Sequence, residues 1–133
     1  MKIQKFEDII AWQKAQNLAV DIYLIFKDSR DFGFKNQIER AAVSVSNNIA
    51  EGFDRMSDKE FVKYLYIALG SCSEVKSMLY LSCRLNYIGN EQTEKLIDQS
   101  NEIGKIIRGL IKSILVVSEK VVSRKDGDQD VNN

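Results

Sequence analysis

Apolar residues recur three and four positions apart along nearly the whole chain, the spacing that lines one face of an α-helix, and no proline interrupts them. The pattern predicts four helices, from about Phe6 to Lys27, Phe34 to Glu51, Asp58 to Asn86 and Glu91 to Ser123. Short connections make neighbouring helices antiparallel. The expected fold is therefore all-α, an antiparallel up-down-up-down four-helix bundle. It forms one domain over residues 1–123, followed by RKDGDQDVNN, polar and aperiodic, which reads as a flexible tail over residues 124–133.

The junctions carry the residues that helix ends require, because terminal N–H and C=O groups lack partners within the helix. Gly52 follows the second helix, where a left-handed glycine can close it and Phe53 can pack back on the last turn. Ser57-Asp58-Lys59-Glu60 reads as a capping box, with the Ser57 hydroxyl on the Glu60 N–H and the Glu60 carboxylate reaching back. Asn86 to Asn90 supplies a turn and then an Asn cap, and Asp28 to Gly33 supplies the first break.

The fourth helix has a heptad seam, with Leu96, Ser100, Ile103, Ile107, Leu110, Ile114, Val117 and Val121 alternately four and three apart, so it is expected to pack along its full length. On the first helix, Ala11, Trp12, Ala15, Leu18, Ala19, Ile22, Tyr23, Ile25 and Phe26 form one broad core-facing arc. Val20 and Leu24 fall nearly opposite, one turn apart, beside Gln13 and Asn17. These four residues form the candidate oligomer interface. The third helix shows the same excess, since Phe61, Leu65, Ala68, Leu69, Cys72, Val75, Met78, Leu79 and Leu85 span more of its circumference than one core needs. Self-association accounts for both; isolated exposed aliphatics on a monomer are the other reading.

Composition narrows the function. Lys plus Arg and Asp plus Glu both number 19, so no global field draws in nucleic acid or an anionic membrane. The N-terminal MKIQKFEDIIAWQKAQ has no uninterrupted apolar run, and no segment reaches the ~18 apolar residues of a membrane span, so a cytoplasmic location is expected. Cys72 and Cys83 lie on one predicted helix, roughly 16 Å apart at ~1.5 Å per residue, too far to bridge, and read as reduced core thiols. There is no histidine, which removes the commonest general base and metal ligand. Glu60 and Glu74 share a helical edge, but without a Glu-x-x-His motif a bundle metal pair is not expected. The glycines stand apart, without phosphate-loop spacing. The chain is read as a non-enzyme with no cofactor.

Three stretches, FEDIIAWQKAQNLAVDIY, QIERAAVSVSNNIAEGFDR and SDKEFVKYLYIALGSCSEV, followed by LNYI, resemble the four helix bundle protein family, also called 23S rRNA intervening-sequence proteins. The run NIAEG-x-x-R-x-S-x-x-EF is its most specific part, and the match extends from about Phe6 to Ile88. The resemblance implies an up-down-up-down bundle, often a ring-like homopentamer, without known catalysis. A related branch, the accessory variability proteins of diversity-generating retroelements, binds nucleic acid and a reverse transcriptase, but it is markedly basic where this chain is electroneutral. Ser46 stands where relatives usually carry proline, which implies a straighter second helix here.

Two candidate surfaces remain. Glu51 and Glu74 flank an apolar stripe near Arg40 and Arg55, where charge-assisted hydrogen bonds can fix the register of helices. Alternatively Glu51, Gly52, Arg55, Ser57 and Glu60 form a partner surface at one bundle end. On the fourth helix, Lys105, Arg108 and Lys112 form a basic ridge able to track RNA phosphates, or else a solvated face favoured by the helix dipole. No aromatic residue is interleaved with them to stack bases, and Asp126, Asp128 and Asp130 partly offset their charge.

Overall fold

The computed structural model describes the backbone of residues 3–131 and the side chains of residues 3–124. A short 3-10 turn, Phe6–Asp8, precedes four helices: α1 (Ile10–Ile25), α2 (Phe32–Asp54), α3 (Asp58–Arg84) and α4 (Asn90–Val131). Contacts run in opposite order along each successive pair. Gln16 meets Ser46 and Phe26 meets Phe34 across α1 and α2. Ser44 meets Ser71 and Arg55 meets Tyr64 across α2 and α3. Cys83 meets Asn90 and Asp58 meets Ser118 across α3 and α4. The bundle is thus all-α and antiparallel. Each of α1 and α3 packs on α2 and α4 but not on the other, so these two helices occupy diagonal corners.

The core is one cluster fed by every helix, with Leu18, Ile22, Ile38, Ile49, Leu65, Leu79, Ile103 and Ile107 fully buried. Each such side chain contributes roughly 1.5–3 kcal/mol by leaving water. Ser46 is buried in α2, which runs unbroken through it; its Oγ accepts from Gln16 Nε2 at 2.9 Å and donates to the Val43 carbonyl at 3.3 Å. The buried hydroxyl is therefore satisfied.

Several boundaries differ from expectation for local reasons. The first helix does not begin at Phe6, because Ile9 is extended and buried, and Gln13 Nε2 instead caps the Glu7 carbonyl at 2.9 Å. The second begins earlier, where the Asp31 side chain accepts from the Phe34 N–H at 3.1 Å. Gly52 does not terminate it. No described glycine has a positive φ, and Gly52 is a buried helical residue. A Cβ there would overlap the Tyr64 Cβ and lie 3.3 Å from Phe61 Cδ1, so the glycine permits the close approach of α3. The left-handed residue is Met56, at φ 59°. Ser57 caps α3 as expected, accepting from the Glu60 N–H at 3.4 Å. Asn86, at φ 61°, closes α3 with Tyr87 N–H on the Ser82 carbonyl and Asn86 N–H on the Cys83 carbonyl, a Schellman arrangement.

Two expectations of core packing are corrected. Tyr23 is 47% exposed, because the α1 arc is narrower than the sequence pattern indicated. The α4 seam does not pack along its full length: Val117 and Val121 are exposed. An α-helix drifts against a strict heptad, so the buried line passes through Ile107, Ile111 and Ile114 to half-buried Ser118. There the partner runs out, since α3 begins at Asp58 beside Ser118. Helical backbone nevertheless continues to Val131, past the expected end at Ser123. Residues 132–133 of the expected tail, and the side chains of Lys125, Asp126, Asp128 and Asp130, lie outside what the structure describes.

Candidate functional site

The outer surface of α1 is a crest. Val20 and Leu24 stand 56% and 62% exposed, one turn apart, with Gln13 and Asn17 on the same face. On the α4 side lies an open groove of about 420 Å³ lined by Lys14, Asn17, Val20, Asp21, Gln99 and Glu102. Lys14 pairs with Glu102 at 2.9 Å and Gln99 donates to Asp21 at 3.1 Å, which fixes its walls. On the α2 side, Val20, Tyr23, Leu24 and Val43 border a second, more apolar groove of about 370 Å³. The crest thus stands between two depressions, a shape suited to helix packing. Of the four interface candidates, Gln13 is engaged with the N-terminal turn, and Asn17, Val20 and Leu24 face outward.

A third groove, about 430 Å³, separates α3 from α4. Leu69, Ile111, Leu115 and Val116 supply its apolar lining, and Tyr66, Arg108, Lys112 and Glu119 its polar edge. Two residues of the basic ridge, Arg108 and Lys112, therefore border a groove, whereas Lys105 is exposed outside its lining. Arg108 folds over Gly104, where a Cβ would lie 3.4 Å from its Nη1. Tyr66 is the aromatic missing from the sequence reading. It comes from α3, so no inspection of α4 spacing finds it.

The motif end of the bundle is interlocked. Arg55 Nη2 donates to Tyr64 Oη at 2.8 Å and to Glu51 Oε1 at 3.3 Å, and Tyr64 Oη donates to the same carboxylate oxygen at 3.4 Å. The guanidinium carbon lies 5.3 Å from the Tyr64 ring centroid. Glu51 and then Tyr64 hold the Arg55 pKa above its ordinary value. With Gly52 beneath Tyr64 and Ser57 capping α3 at Glu60, these residues form a joint between α2 and α3. The expected role for Arg40 and Glu74 is not met. Both are exposed and neither enters an ion pair among the described residues, because the α2–α3 seam beside them is closed by neutral Ser44, Asn48 and Ser71.

Among the described residues no group of three or more acidic or thiol side chains is placed to hold a metal, and no helix is long and apolar enough to cross a membrane. Cys72 is buried, which pushes its pKa up to about 11 against a smaller opposing effect of Arg108. Such a thiol is a poor nucleophile.

The family model for the 23S rRNA-intervening sequence protein matches residues 7–109. The chain belongs to this family. A similar fold is seen in a crystal structure from Bacteroides thetaiotaomicron, described as a protein with unknown function from the S23 ribosomal protein family. It is 32% identical, covers 77% of this chain and 99% of its own, and superposes with a TM-score of 0.73. No match is found among curated proteins. The intervening-sequence protein family match ends at residue 109, so it includes the motif joint, the α1 crest and Arg108 but not Lys112 or the overrun of α4.

Proposed function

We propose that this intervening-sequence protein is a non-enzymatic helical module that assembles with copies of itself, with a pentameric ring as the expected form, and serves as a scaffold or binding module in the cytoplasm. The α1 crest carries the reading: Val20 and Leu24 are exposed between two grooves, on a helix whose opposite face already fills the core. Covering what remains exposed of each contributes roughly 1–2 kcal/mol. A ring repeats that gain at every boundary, against the several kcal/mol that each association costs. Cys72 and Cys83 are free, which suits a reducing compartment.

The test is solution mass by light scattering after size exclusion, on the wild type and on a Val20→Glu, Leu24→Glu variant, with helicity followed by circular dichroism. The expected result is an oligomer that falls to helical monomers in the variant. A monomeric wild type overturns the reading. The second reading, an RNA-binding accessory protein, is supported by Arg108 and Lys112 beside Tyr66 and by Lys105 nearby. It predicts RNA retention that weakens as salt rises.

A further inference from the structure

The α1 crest has a counterpart on the same chain. Along its α4 side the surroundings are acidic. Asp21 lines the groove, Glu102 stands across from it, and exposed Asp98 precedes Glu102 by one turn on the same edge of α4, which also carries the exposed cation Lys95. Lys14, the groove's one lining cation among the described residues, is already paired with Glu102. The α3–α4 groove has the opposite character. Its apolar lining is bordered by Arg108 and Lys112, neither of which has an acidic partner within ion-pair distance among the described residues, and by one acid, Glu119, so its rim is net basic. The cationic border continues up the same interhelix line into a small cleft of about 70 Å³, where Lys76 joins Arg108. One surface is a convex apolar crest with an acidic flank, and the other a concave apolar groove with a basic rim.

We infer that the α1 crest of one copy docks in the α3–α4 groove of the next, with Val20 and Leu24 against Leu69, Ile111, Leu115 and Val116, and Asp21 facing Arg108 and Lys112. The inference rests on the self-assembly reading and names its second surface. Charge complementarity selects this occupant: the crest presents carboxylates where the groove presents unpaired cations. Position selects the symmetry. Because α1 and α3 occupy diagonal corners, crest and groove are different surfaces facing different ways. Contact between unlike surfaces joins copies head to tail, and the chain of copies closes into a ring when its turn permits. The groove lies between α3 and α4, not on the far side of α3, so the two surfaces are oblique to each other. That disposition favours closure over a straight filament.

The experiment compares solution masses of full-length variants whose altered side chains are exposed, apart from half-buried Asp21, with helicity as the control for folding. Arg108→Glu, Lys112→Glu is expected to fall from the wild-type mass to that of one chain. Adding Asp21→Arg to that variant is expected to restore part of the assembly, since each contact regains opposite charges. The decisive arm mixes two single-surface variants, Val20→Glu, Leu24→Glu with Arg108→Glu, Lys112→Glu. The first retains only a groove and the second only a crest, so the mixture is expected to give a one-to-one heterodimer and nothing larger. A wild-type oligomer whose mass survives Arg108→Glu, Lys112→Glu overturns this pairing while leaving self-assembly intact. The pairing is likewise overturned if that variant keeps its mass and loses retention of total ribosomal RNA, which would make the groove a nucleic-acid surface. A monomeric wild type removes both readings together.

Discussion

The Tyr87 hydroxyl donates to the Asp31 carboxylate at 2.6 Å, joining the turn after α3 to the residue that caps α2. The bond, with a smaller effect of the Phe34 N–H, holds the Asp31 pKa below its ordinary 3.8 and raises that of Tyr87 above 10.0. A carboxyl lowered on folding contributes stability that is complete above the unfolded value and lost as pH falls through the folded one. A phenol raised on folding contributes below its unfolded value and loses that contribution as pH rises through the folded one. Asp31→Asn is therefore expected to flatten the acid limb of stability against pH and to weaken the alkaline one, since it removes the carboxylate that raises Tyr87, and Tyr87→Phe to remove the alkaline contribution and part of the acid one. Urea unfolding across the two ranges checks this; limbs identical to wild type would refute the linkage.

Gly52→Ala is expected to destabilise the bundle by roughly 1–3 kcal/mol, the usual cost of forcing atoms into packed space. The obstacle is the Tyr64 Cβ, so Tyr64→Ala, which keeps that atom, should not rescue the substitution. Thermal melts of both single variants and the double variant read this directly. Rescue would place the conflict with the ring instead.

Met56→Gly is expected to stabilise by a few tenths to about 1 kcal/mol, because a side chain at positive φ is strained and glycine is not. Asn86→Gly should gain less, since asparagine tolerates the left-handed region. Equal gains in denaturant midpoints would show that the strain at Met56 is offset by contacts.

The two thiols should separate kinetically. Cys72, pushed up to about 11, is ionised in roughly one molecule per thousand at about pH 8, and it is buried. Cys83 is half-buried, its Sγ donating to Asn90 Oδ1 at 3.1 Å. A thiol reagent is expected to label Cys83 in the native protein and Cys72 only on unfolding. In a Cys83→Ser variant the fast phase should vanish; its persistence would mean that Cys72 opens locally.

What one helix decides for itself was legible in the sequence. The three-four periodicity located the helices, Ser57 announced a helix start, and Val20 and Leu24 were recognisable as facing away from the core by phase alone. What two helices decide together was not. Gly52 looked like a terminator because glycine commonly is one, and only the approach of Tyr64 reveals its packing role. Arg40 and Glu74 carried the right charges for a register-fixing pair, but Ser44 and Ser71 close that seam with a neutral bond. Tyr66 joins Arg108 and Lys112 only across a groove. The α4 heptad spacing was real, yet it says nothing about where the partner helix ends.

That overrun of α4 has a consequence for any ring of these chains. From Ser118 to Val131 the helix advances roughly 20 Å at ~1.5 Å per residue, past the start of α3. Rotation about a ring axis preserves direction along that axis, so every copy's projecting end leaves from the same side. A ring with α4 running along its axis would have a pronged side and a blunt one. Such a ring would be polar, offering different surfaces on its two sides.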